Sequence, residues 1–428
     1  MAGSQSIQIS DREIYDGTYF VRSSIKASKP IILVTLNYRV GPLGFLASKE
    51  LTEFNQSHSE AVGNYGLHDQ RQALEWISRF VSGFGGDAAN VTISGTSAGG
   101  ASCHYLCIFP DRKFQRAILS SGTIIGIGPI AESQHQPDFD RFVQAFAPSQ
   151  SDTSVIGALQ EVPVDKFVCT VPIPITSPVV DGDYIPTNWA TELHSQGAPD
   201  LMLGACDFEA DIGRLIISDP TDINNMKPLP NDLILQNTSH SFRFNGLPKP
   251  AGRFPGSAPE VCKHYHIIGK GVSEPRESFE GWVQLVADIV FRFPALYVAR
   301  TAPIDHGARK VYLYEFKASN PYAPGTIWHG RANHGVNDLF VFNPAEDLVV
   351  QNVKAGFIGA VEAVQSKWLE FIHGGAPWAA YNTEEGGGRS FIFDDGEGSR
   401  EVGTLAEAVG EEKAAQWESV WAMTQSAT

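Results

Sequence analysis

The sequence predicts an α/β fold, with a predominantly parallel sheet flanked by helices. Two observations carry that prediction. Short apolar, β-branched runs alternate with segments whose apolar residues recur at helical spacing, in the order strand, helix, strand, helix, strand. Within that alternation, Asn90-Val91-Thr92-Ile93-Ser94-Gly95-Thr96-Ser97-Ala98-Gly99-Gly100 reads as a strand, a glycine-flanked serine and the start of a helix. Of the 428 residues, 43% are hydrophobic, enough for a substantial core.

Taken in order, Pro30 opens a near-continuous apolar run over 31–37, expected to be a strand buried on both faces of a parallel sheet. A turn-rich loop over 38–45 follows. A helix is predicted over 70–84, because Leu74, Ile77, Val81 and Phe84 share one face and Gly85-Gly86 lies past the stop. The serine-bearing turn leads into a helix ending near residue 109, and 116–122 reads as the next strand. Residues 133–166 are helical and loop material, and 179–183 form a turn between strand-like pieces. A short strand over 201–204 precedes Cys206-Asp207-Phe208-Glu209. Residues 219–280 carry many Pro, Asn and Gly and are expected to cap the sheet. An apolar helix over 282–298 should kink at Pro294, since proline removes a helical hydrogen bond. Strands are expected over 311–316 and 391–393, a loop over 325–334, and helices over 361–373 and 411–423.

The formal charge of −16 and the pI near 5.2 disfavour nucleic acid and anionic membrane surfaces, whose phosphates would be repelled. Five cysteines, Cys103, Cys107, Cys169, Cys206 and Cys262, leave at least one unpaired in a monomer and show no C-x-x-C metal pattern. Cys103 and Cys107, four apart on a predicted helix, suit packing. No apolar run approaches the roughly 18 residues of a membrane span. Met1-Ala2-Gly3-Ser4-Gln5-Ser6 has neither the basic nor the apolar region of a signal peptide. Compartment and oligomeric state stay open.

Gly95-Thr96-Ser97-Ala98-Gly99 fits the G-x-S-x-G nucleophile elbow. A serine on a sharp strand-to-helix turn sits in strained backbone with its hydroxyl above the sheet. The flanking glycines let strand and helix approach. The Ala98 amide, at the helix N-terminus, points toward a developing oxyanion. Ser97 would also suit a helix N-cap, Glu209 a solvated helix-start acid and His334 a packed loop histidine.

Longer stretches add specificity. These are Asn37-Tyr38-Arg39-Val40-Gly41-Pro42-Leu43-Gly44-Phe45, Gly63-Asn64-Tyr65-Gly66-Leu67-His68-Asp69-Gln70, and Phe84-Gly85-Gly86-Asp87 before Asn90-Val91-Thr92. With them the chain resembles the type B carboxylesterase/cholinesterase-like family of α/β-hydrolases over nearly its whole length. The resemblance implies one α/β-hydrolase domain over 1–428 with a helical cap. It implies a Ser, Glu, His triad in that order. Phe208-Glu209-Ala210 takes the place of the family's acid motif, so Glu209 is the candidate acid, with Asp207 and Asp211 as competitors. His334 opens His334-Gly335-Val336-Asn337-Asp338-Leu339-Phe340-Val341-Phe342, the family's histidine motif, and His329 is the decoy. Ser121 matches a family serine that supports the acid.

The implied function is hydrolysis of a small-molecule carboxylic ester through an acyl-enzyme, with no metal or organic cofactor. The alternatives are a catalytically silent binding relative, and a biosynthetic lyase or cyclase reusing the pocket. Two departures stand out. Thr96 occupies the place of the family's glutamate before the nucleophile. The His-Gly-Gly-Gly-type oxyanion loop and the strand before it are not found, so the sheet is expected to be interrupted between 31–37 and 91–94.

Overall fold

A computed structural model describes residues 13–109, 111–148, 152–170, 177–192, 198–210, 263–267, 275–303, 309–322, 325, 328–343, 355–383 and 387–425. Its strands are β1 (Thr92–Thr96), β2 (Arg116–Ser120), β3 (Ile130–Ala131), β4 (Val179–Val180), β5 (Asp200–Cys206), β6 (Val311–Phe316), β7 (Ser390–Phe393) and β8 (Arg400–Val402). Six of them form one sheet in the order β1-β2-β5-β6-β7-β8, and β3 pairs with β4 separately. Every pair in the large sheet is parallel except β7 with β8, which is antiparallel. The short β8, with its Arg400 and Glu401, escaped the sequence reading because three residues carry no usable period.

The central strands β5, β6 and β7 are mostly apolar because both faces of the sheet are covered there. Alternate residues serve two cores. Ala117, Leu119, Leu201, Leu203 and Val311 pack with Leu67, Leu74, Tyr105 and Leu296 on one face. Ile118, Met202, Tyr312 and Tyr314 pack with Phe340, Val364, Trp368 and Phe393 on the other. Helices follow the sequence pattern closely: Tyr65–Phe80 with a 3-10 turn at Val81–Phe84, Ala98–Cys107, Ala355–Ile372 and Glu411–Gln425.

The expected strand over 31–37 does not form. Residues 29–40 carry no ladder, and Ile32 and Val34 are exposed at 45% and 43%. A cavity of about 500 Å³ separates this extended segment from β1, lined by Ile31 to Leu36 on one side and by Val91 to Thr96 on the other. Among the described residues no strand lies between them to offer the segment a ladder, and the Ile31 amide donates instead to Ser24 Oγ at 3.2 Å. Apolar composition favours a buried strand only where a partner edge is present.

The helix expected over 282–298 kinks, but not by proline alone. Pro275–Ala287 runs into a π-helical turn, Asp288–Arg292, and Phe293–Thr301 continues with Pro294 in its first turn. Contrary to the sequence expectation, the stretch Glu280–Thr301 holds a window long and apolar enough to cross a membrane. Yet 83% of that window is buried inside the protein, as in a core helix. Most of the expected cap over 219–280, together with Asp211 and Cys262, lies outside the described residues.

Candidate active site

The candidate residues lie past the carboxyl ends of parallel strands, where open α/β sheets bind ligands. Ser97 follows β1 directly, Ser121 follows β2, Glu209 follows β5, and His334 lies on the loop after β6. Ser97 holds φ +60° and ψ −127°, left-handed backbone that a serine adopts only under strain. Its amide donates to Ser120 O at 2.8 Å, and its carbonyl accepts from Ala101 N at 3.0 Å. The turn is tied to β2 on one side and to the helix on the other. Ala98 is the first residue of that helix. The first four N–H groups of a helix have no intrahelical acceptor and point ahead of it, toward the space above Ser97.

The tight packing beneath the elbow involves glycines that the five-residue motif does not name. A Cβ on Gly122 would lie 1.8 Å from Ser97 O, and one on Gly100 would lie 2.8 Å from Gly122 O.

Glu209 and His334 meet although 125 residues apart. His334 Nδ1 bonds Glu209 Oε2. The other carboxylate oxygen, Oε1, accepts the Cys206 amide at 2.9 Å. Glu209 is fully buried and the His334 side chain is 10% exposed, so the pair sits at a dry wall with one edge open. A parallel bridge between Phe208 and Asn333, with Phe208 N donating to Ala332 O at 2.9 Å, zips the loops together. The Phe291 ring packs on the imidazole, centroids 4.6 Å apart.

The decoys are elsewhere. His329 is exposed, with Nδ1 on Tyr322 O at 3.0 Å. Asp207 turns away from the imidazole to Arg292, 3.1 Å distant. Ser121, in left-handed backbone at φ +47°, sends Oγ toward Cys206 Sγ at 3.9 Å. It thus touches the residue whose amide holds Glu209. Burial pushes the Cys206 thiol well above its ordinary range, which keeps it neutral beside the carboxylate.

One feature carried no sequence signal. Thr96 Oγ1 donates to Asp338 Oδ1 at 2.7 Å, both side chains buried. Asn337 Nδ2 donates to the same oxygen at 3.0 Å. The bond spans 242 positions and ties the residue before Ser97 to the fourth residue after His334. Burial raises the Asp338 carboxyl above its ordinary range, and the Thr96 hydroxyl pulls it partly back.

The sequence matches the model of the carboxylesterase family over residues 2–384. It is 29% identical to the para-nitrobenzyl esterase of Bacillus subtilis over 407 residues, covering 87% of this chain and 70% of that protein. It is 33% identical to the bile salt-activated lipase of Bos taurus over 424 residues, covering 92% of this chain and 64% of the lipase. The chain thus spans roughly two thirds of the length of these curated relatives. A solved PNB esterase structure superposes with a TM-score of 0.72 at 23% identity, covering 97% of this chain and 80% of that one. That superposition identifies the mostly parallel sheet and its helices as the α/β-hydrolase fold. With the family model spanning most of its length, the chain belongs to the carboxylesterase family.

Proposed function

We propose that this protein hydrolyses carboxylic esters through an acyl-enzyme. Ser97 Oγ attacks the acyl carbon while His334 Nε2 takes its proton. The tetrahedral oxyanion forms in front of the Ala98 amide. His334 then protonates the departing alcohol, and water, deprotonated by the same imidazole, releases the acid and restores Ser97. Glu209 holds the imidazole with Nδ1 protonated and stabilises the imidazolium. Ser121 backs Glu209 through Cys206.

The observation that carries this reading is the Glu209–His334 pair, joined through Nδ1, on a loop that the Thr96–Asp338 hydrogen bond ties to the strained elbow backbone of Ser97. Relatives named as an esterase and a lipase support the substrate class.

A fluorophosphonate probe tests it. Labelling should map to Ser97, and Ser97→Ala should abolish labelling together with any hydrolysis of p-nitrophenyl butyrate. Loss of one triad member typically costs about 10⁴–10⁶ in kcat. Labelling at another residue, or ester turnover that survives Ser97→Ala, would overturn the reading.

A further inference from the structure

We propose that Arg292 is a positioning residue: its guanidinium pins the loop that carries Glu209, while the same helical turn sets Phe291 against the His334 ring. The proposal rests on the triad reading above. The core helix is interrupted by the π-helical turn Asp288–Arg292, and such one-turn insertions cluster at functional sites because they re-aim neighbouring side chains. Here they aim two. Phe291 lies 4.6 Å from the imidazole, ring centre to ring centre. Arg292, 3% exposed, reaches the acid loop.

The guanidinium is held from three sides. Nη2 and Nε bond Glu315 Oε1 on β6 at 2.6 and 3.2 Å. Nη1 bonds Asp288 Oδ1 at 3.3 Å. The Trp417 ring lies 4.9 Å from Cζ. Asp288 is itself fixed by Lys413 at 3.0 Å and the Tyr265 hydroxyl at 2.8 Å. A cation anchored this way has one remaining contact to give, Nη2 to Asp207 Oδ1 at 3.1 Å.

Asp207 is two residues before Glu209. Its amide is bound to Phe316 O at 2.8 Å, and the next amide to Ala332 O. The Arg292 contact is a side-chain brace of the same short loop, whose Phe208 ring also carries the Arg331 guanidinium 4.4 Å from its centre. The Asp207 side chain is 50% exposed, so the ion pair adds little to stability. Its consequence is the direction in which Glu209 faces His334.

The test uses the full chain with Asp207→Ala, Asp207→Asn and Arg292→Met. Two quantities are read: the second-order rate of Ser97 labelling by a fluorophosphonate, and the titration midpoint of the His334 imidazole by NMR. Asp207→Ala should slow labelling about tenfold to a hundredfold, the scale of small misplacements in a catalytic group. It should also lower the His334 midpoint, because a loosened Glu209 stabilises the imidazolium less. Asp207→Asn removes the same charge but keeps an acceptor for Arg292, and should restore both values toward those of the unaltered chain. That rescue separates bracing from the loss of a negative charge.

Wild-type values for both quantities in a folded Asp207→Ala protein would overturn the proposal, as would equal loss in Asp207→Asn. Should Arg292→Met fail to fold, the two Asp207 variants decide. Should the unaltered chain resist the probe, the hydrolase reading falls and the His334 midpoint alone decides the brace.

Discussion

Thr96 stands immediately before Ser97, and its hydroxyl is committed to Asp338. Thr96→Val keeps the shape but deletes the donor, and leaves a buried carboxyl with one partner fewer. The expected cost is about 1–3 kcal/mol of stability, measured by urea unfolding, whereas Thr96→Ser should stay near the unaltered chain. Around Arg292, the carboxylates of Asp207, Asp288 and Glu315 face the cations Arg292 and Lys413, and Lys317 also acts on Glu315. Burial pushes Glu315 up to about 7 against the pull of Arg292, while the neighbouring acids hold the guanidinium charged. Burial outweighs the neighbouring cations and favours the protonated form of Glu315. The folded chain then holds a proton that the unfolded chain releases above the ordinary glutamate range, so this group's contribution falls as pH rises through about 7. Melting temperatures of Glu315→Gln between about pH 5 and pH 8 should show a shallower decline than those of the unaltered chain.

At the scale of elements, the elbow was legible in five residues, because a strand-to-helix turn imposes its own spacing. The support beneath it was not, because Gly122 and Gly100 meet Ser97 and β2 only after the sheet has assembled. Gly122→Ala would place a methyl 1.8 Å from Ser97 O and should cost about 1–3 kcal/mol or more, with loss of Ser97 labelling. Gly83→Ala, where nothing lies within 4 Å, should be neutral or stabilising by up to about 1 kcal/mol. Chemical denaturation of the two variants side by side checks both. The segment 31–37 shows the converse limit. Its composition is that of a buried strand, but pairing is a property of two edges, and β1 across the cavity pairs only with β2 among the described strands. The π-helical turn was equally hidden: Pro294 announced a disturbance, but an inserted residue leaves no trace in apolar spacing this dense.

Across the whole molecule, two cores sandwich the sheet, and Trp368 sits deep in one of them, 2% exposed and in ring contact with Tyr314 and Phe393. Trp368→Ala should cost about 3–5 kcal/mol and lower the melting temperature, whereas Trp76→Ala, on a helix surface with 47% exposure, should change it little.

By itself the sequence determined the α/β class, most strands and helices, and the identity of Ser97, Glu209 and His334 as candidates. The class, the elements and the Ser97 elbow are local, since periodicity, turn chemistry and motif spacing are written within a few residues, whereas Glu209 and His334 are singled out only through the family resemblance. Tertiary structure decided which acid meets His334, since Asp207 and Glu209 are two positions apart and only the approach of Arg292 and Asn333 turns one away and the other inward. It also decided that Thr96 bonds Asp338, that the core helix breaks in a π-helical turn, and that an apolar segment stays outside the sheet. Each of these depends on groups far apart in the chain, whose distance is set by packing and cannot be read from either partner alone.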